Sequence, residues 1–132
     1  MKFSLVVFGA PDGDPATLTA LKFAQAVLDQ GHEIYRLFFY QRGVYHGSSL
    51  AVYPQDETDI NQAWQSFIAE QQLDAVVCIA SAVKRGILNA EEANRYERPS
   101  ANLADNFTLS GLGQWVDACV HSDRVVSFGE AQ

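Results

Sequence analysis

Apolar residues in this chain fall into short continuous runs, separated by segments where they recur every three or four positions, and that alternation predicts strands and helices in turn. Phe3 to Phe8 is a buried-strand run closed by Gly9 and Pro11. Asp14-Pro15 is a helix start: the carboxylate can cap free N–H groups and proline suits the first helical position. This helix runs to Gln30, with Ala20, Phe23, Ala24 and Val27 on one face and Gly31 as its stop. Glu33 to Tyr40 reads as a second strand. A second helix begins between Asp56 and Thr58 and carries Ile60, Ala63, Trp64, Phe67 and Ile68 on one stripe. Asp74 to Ile79 is a third strand, with Cys78 at its end.

Beyond Cys78 the elements shorten. Asn89 with Glu92 three positions later resembles a capping arrangement for a short helix to about Tyr96, and Pro99 with the polar run 101–106 marks a loop. Phe107 to Leu109 is a short extended piece. A helix opens near Ser110 with Leu112, Trp115, Val116 and Cys119 on one face, so Cys119 is expected to pack against the sheet. Arg124 to Phe128 closes as a strand, and 129–132 reads as a frayed tail. Strands alternating with crossover helices predict an α/β fold: one domain over residues 1–132, a mostly parallel central sheet, and helices on both faces, a Rossmann- or flavodoxin-like three-layer arrangement. The stretch from Gln41 to Glu57 stands apart. It mixes Gly43, Gly47, Ser48, Ser49 and Pro54 with Val44, Tyr45, Leu50 and Val52, a long excursion of the kind that faces partners.

Composition narrows the class. With 132 residues, 48% of them hydrophobic, the chain can bury a core without disulfides or metal. Its two cysteines form no CxxC, which argues against a disulfide framework or zinc site and for a cytoplasmic home. The opening MKFSLVVFGA is too short for a secretory signal and lacks a cleavage site, and no run reaches the ~18 apolar residues of a membrane span. A net charge of −7 argues against direct binding of nucleic acid, which rests on basic residues.

The candidate chemistry centres on Cys78 in the run LDAVVCIASAVKRG. In open α/β proteins, sites gather outside the carboxyl ends of the strands, where a helical turn aims free N–H groups at an anion. Neighbouring cations and a helix start both favour a nucleophilic thiolate. Lys84, Arg85 and Ser81 are the expected stabilising residues. His32, His46 and His121 show no ligand spacing and read as surface residues, although His46 lies in the glycine-rich excursion where a partner or substrate could arrive. GAPDGDP after the first strand is neither a dinucleotide fingerprint nor a P-loop, and Asp12 and Asp14 would repel a phosphate. SGLG at Ser110–Gly113 is a lone GxG suited to a tight turn.

The segments KFSLVVFGAP, LKFAQAVLDQGHEIYRLFFYQRGV, VVCIASAVKRGI and SGLGQWVDACVHSDRVVSFG resemble the DsrE-like sulfur-relay proteins, most closely the TusD/DsrE type of subunit, over nearly the whole chain. Cys78, Ala80, Ala82, Lys84, Arg85 and Gly86 stand where that family has its cysteine, small residues, basic pair and glycine. Ser81, Lys84 and Cys119 depart mildly from it. The resemblance implies a sulfurtransferase that needs no cofactor or metal and carries sulfur as a persulfide on Cys78. It implies assembly with TusC-like and TusB-like subunits into a heterohexamer, a TusA-like donor, a TusE-like acceptor, and an end product in the 2-thiouridine of the tRNA wobble position. A DsrE-type role in dissimilatory sulfur oxidation, a non-catalytic scaffold, and a thiol oxidoreductase or peroxidase are the competing readings.

Overall fold

The structure is a computed structural model that describes residues 1–130, so the expected tail lies partly outside the described residues. Five strands form one sheet in the order β4-β3-β2-β1-β5: β1 (Lys2–Val7), β2 (Glu33–Phe39), β3 (Ala75–Cys78), β4 (Phe107–Ser110) and β5 (Arg124–Phe128). Every pairing is parallel. The inner strands are mainly apolar toward their carboxyl ends because both of their faces are covered there, as in α/β sheets generally. Leu5, Val7, Leu37, Phe39 and Val77 are wholly buried.

Helix α1 (Pro15–Asp29) starts where expected, with an Asp14 oxygen accepting from the Ala16 N–H at 2.9 Å. It ends through Gly31 at φ +83, the left-handed residue that lets Gly31 N–H reach Leu28 O and His32 N–H reach Val27 O. A 3₁₀ helix (Gln41–Gly47) opens the long excursion, and α2 (Ile60–Gln71) begins after Asp59, whose side chain accepts from Gln62 N–H. Three short helices follow: α3 (Ile79–Val83), α4 (Ala90–Arg95) and α5 (Gly113–His121). Asn89 caps α4 through Glu92 N–H, as its spacing predicts.

Two faces of the sheet are built differently. On one, Trp64 of α2 meets Phe39 edge-on at 5.5 Å, and Phe107 and His46 complete an aromatic cluster. On the other, Trp115 of α5 packs against Phe8, Phe38 and Tyr40. The chain steps outward from β1 to β4, then returns through α5 to place β5 on the far side of β1.

That return fixes α5 by charge as well as packing. Arg36 on β2, buried among its neighbours, donates to Asp74 from Nε and Nη2, and to Asp117 and the Gln114 carbonyl from Nη1. Tyr35 hydroxyl donates to the same Asp117 oxygen at 2.6 Å. The expected inward face of α5 is therefore corrected. Trp115 and Ala118 turn toward the sheet, whereas Leu112, Val116, Cys119 and Val120 are exposed. The Asp117 anchor rotates the helix so that its second apolar stripe looks outward.

Candidate active site

Cys78 closes β3, a central strand with β2 on one side and β4 on the other, and its ladder partner is Ser110. All four β3 residues are buried, and Cys78 itself is 1% exposed. Successive strand residues face opposite sides. Val77 lies against the 3₁₀ helix, 3.2 Å from the point a Gly47 Cβ would occupy. Cys78 therefore points to the opposite face, the face of Phe38, Tyr40 and Trp115. Register, rather than motif, is the signal that pairs Ser110 with Cys78.

Cys78 is also the residue from which α3 starts, with extended backbone and no side-chain capping bond. That helix has five residues, so its contribution of free N–H groups is a single turn. The three residues expected to stabilise a thiolate serve other partners. Ser81 is buried, and its Oγ accepts from Gln41 N–H at 3.2 Å, holding the left-handed residue (φ +52) that starts the 3₁₀ helix. Arg85 turns back to donate to the Ser81 carbonyl at 3.1 Å. Lys84 is exposed and lines a groove with Leu50, Val83, Leu88, Tyr96 and Arg98. Among the described residues, no hydrogen bond or ion pair joins any of the three to Cys78.

His46 departs furthest from expectation. It is completely buried, not a surface residue, with Nδ1 2.8 Å from the Gly43 carbonyl and its ring 5.2 Å from Phe39. The carbonyl is an acceptor, so Nδ1 carries the proton and donates; Nε2 has no partner among the described residues. Burial pushes the imidazole down from its ordinary value to about 4, against the opposing pull of the Gly43 bond and of Asp14 and Asp12. It is neutral packing material, and its closeness to a glycine-rich turn is what the sequence could show. Of the expected apolar set in this excursion, Val44 is buried, while Tyr45, Leu50 and Val52 are exposed.

The crevice outside β1 and β5, where the strand order reverses, is the usual ligand position in such sheets. Here the turns that border it pack closely on each other. A Cβ on Gly9 would stand 2.0 Å from an Asp14 carboxylate oxygen, and one on Gly129 would stand 2.7 Å from Gly9 N. The Asp14 carboxylate that caps α1 stands against this turn and places negative charge there.

A parallel α/β sheet with a cysteine at the carboxyl end of a central strand defines the class of a small α/β thiol protein. The model of the DsrE/DsrF-like family matches residues 1–128, and the chain belongs to that family. A sulfurtransferase TusD homolog of Pseudomonas aeruginosa is 53% identical over 98% of each chain. A sulfurtransferase TusD of Salmonella enteritidis is 42% identical over 97% of this chain and all of its own. A protein of Allochromatium vinosum bearing the DsrE name is 42% identical over 98% of this chain and all of its own. The chain is thus a member of a sulfurtransferase family. The ychN protein of E. coli shares the fold, with a TM-score of 0.73 at 20% identity, over 97% of this chain and 99% of that one.

Proposed function

We propose that the chain is a persulfide carrier in a sulfur relay, with Cys78 as the residue that holds the sulfur. The observation that carries this reading is the position of Cys78 at the carboxyl end of the central β3, in a chain that matches sulfurtransferases along almost its whole length. Cys119 lies on the outer surface of α5, a different element.

In the forward step the Cys78 sulfur, as thiolate, attacks the outer sulfur of a donor persulfide R–S–SH. The donor S–S bond breaks, R–S⁻ leaves and takes up the proton lost by Cys78, and Cys78 becomes Cys–S–SH. The second step repeats this with an acceptor thiol attacking the outer sulfur and Cys78 leaving. No oxidant or reductant is consumed. Because the thiol is 1% exposed, donor and acceptor must displace part of its surroundings to reach it. Lys84 and Arg85 lie just beyond α3, and an incoming persulfide anion would meet their positive charge on approach.

The relay reading extends to tRNA: sulfur arrives from a TusA-like donor, passes to a TusE-like acceptor and ends in the 2-thio group of the wobble uridine. The net charge of −7 supports leaving the RNA chemistry to a downstream enzyme. Leu112, Val116 and Val120 stand 48%, 64% and 71% exposed on one face of α5, a cost in water that assembly with TusC-like and TusB-like subunits would remove. No described helix is long and apolar enough to cross a membrane, and both cysteines are free thiols, which supports a cytoplasmic site of action. The likeness to the A. vinosum protein keeps sulfur oxidation as the second reading.

Intact-mass measurement after incubation with a persulfide donor tests the carrier. The protein and its Cys119→Ser variant gain one sulfur atom, and Cys78→Ser gains none. Equal loading of Cys78→Ser would leave the chain as a scaffold.

A further inference from the structure

The nine lysines and arginines are outnumbered by sixteen acidic residues, yet the cations are not spread evenly. Lys84, Arg85, Arg95 and Arg98 fall within fifteen residues. Arg36 and Arg95 are neutralised by carboxylates, Arg36 by Asp74 and Asp117, and Arg95 by Glu91 and Glu92. Among the described residues, no carboxylate pairs with Lys84 or Arg98. Both are exposed, and the one hydrogen bond from the Arg98 guanidinium runs to the Tyr96 carbonyl.

These two cations line the same groove, a cleft of about 520 Å³ beside α3 and α4. Its apolar wall is Leu50, Val83, Leu88 and Tyr96, of which Leu50 is 67% and Tyr96 50% exposed. Asn102 braces the wall: its Oδ1 accepts from Leu88 N–H and its Nδ2 donates to the Gly86 carbonyl. Among the described residues, none that lines this cleft is acidic. The cleft of about 690 Å³ beside the 41–57 excursion differs in kind, since Arg42 shares it with Asp12 and Glu57. A cleft that is apolar below and purely cationic at its sides, on a protein of net charge −7, is selective by charge for an anionic guest.

We propose that this groove docks a short segment of a partner protein in which acidic side chains are flanked by apolar ones. The apolar side chains cover Leu50, Val83 and Tyr96, and the carboxylates pair with Lys84 and Arg98. This surface lies one turn beyond Cys78 and shares Lys84 with the approach proposed for the donor persulfide, but docking itself does not require the thiol. Docking therefore survives Cys78→Ser, and loss of sulfur loading and loss of docking are separate results.

The probe is a fluorescein-labelled decapeptide of alternating leucine and glutamate, followed by anisotropy, with leucine–lysine and leucine–serine decapeptides and an oligouridylate as comparisons. The leucine–glutamate peptide binds saturably to the native protein and equally to Cys78→Ser. Its dissociation constant rises at least tenfold in Lys84→Glu/Arg98→Glu, with Lys84→Gln/Arg98→Gln moving in the same direction. Both sites are exposed, so melting temperatures stay close to that of the native protein. Absence of saturable binding, equal binding to the charge variants, or a preference for the leucine–lysine or leucine–serine peptide would each overturn the proposal. So would oligouridylate binding abolished by the same variants, which would assign the cations to nucleic acid.

Discussion

Lowering the pH from 7 to 4 should destabilise this protein through His46 in particular. The buried imidazole is neutral in the folded chain, with its protonation pushed down to about 4, whereas in the unfolded chain it titrates near 6.5. Because the folded value is the lower one, the unfolded state binds more protons between the two, and stability falls as pH falls through that window. The contribution is fully present above the unfolded value. From these two values the loss relative to pH 7 is ~0.7 kcal/mol at pH 6, ~1.8 kcal/mol at pH 5 and ~3 kcal/mol at pH 4. Urea unfolding at pH 7, 6 and 5 measures it, with His46→Leu as the reference. The leucine variant loses the bond to Gly43 and so starts at a different stability, but it lacks the titrating group. Its curve should fall less steeply, by about the stated amounts, the remaining slope coming from carboxylates common to both. Parallel curves for the two proteins would refute the argument.

Two further perturbations test packing and charge. Gly43→Ala should cost about 1–3 kcal/mol by urea titration, because its Cβ would stand 2.0 Å from the Val7 carbonyl oxygen, a backbone atom that cannot swing away. Gly111→Ala and Gly113→Ala meet nothing within 4 Å and should each be neutral or raise stability by up to ~1 kcal/mol. Arg36→Met removes the cation between Asp74 and Asp117, whose side chains are 45% and 37% exposed. Solvent screening limits the cost to about 1–2 kcal/mol. The Asp117 carboxyl is held below its ordinary range by the Tyr35 hydroxyl and by Arg36, so the native protein's advantage over Arg36→Met should shrink as pH falls below about 4.

The fold was legible in the sequence because its signals are local. Asp14-Pro15, Gly31 and Asn89 mark helix ends through bonds that span two to five residues, and the structure shows those bonds. The runs Leu5–Val7, Leu37–Phe39 and Ala75–Cys78 are apolar throughout because these stretches are covered on both faces. Where the sequence misleads, the deciding contact is distant. Cys119 and Val116 share a stripe with Leu112, but Arg36, about 80 positions away in the chain, chooses which side of α5 turns inward. His46 reads as a polar residue in a polar loop; only the sheet and α2 closing over it make it a core residue. The site was half visible. Cys78 stands at the strand end that its sequence suggests, while the directions of Ser81, Lys84 and Arg85 depend on Gln41, the Ser81 carbonyl and the groove, none of which a spacing can reveal.

The near-complete enclosure of Cys78 bears on leakage as much as on access. If Cys78 carries sulfane sulfur as proposed, that enclosure withholds it from small thiols that would otherwise strip it as hydrogen sulfide. Fidelity in such a carrier is then governed by which protein can pry the cover open, and turnover slows to the pace of that opening rather than that of thiol exchange.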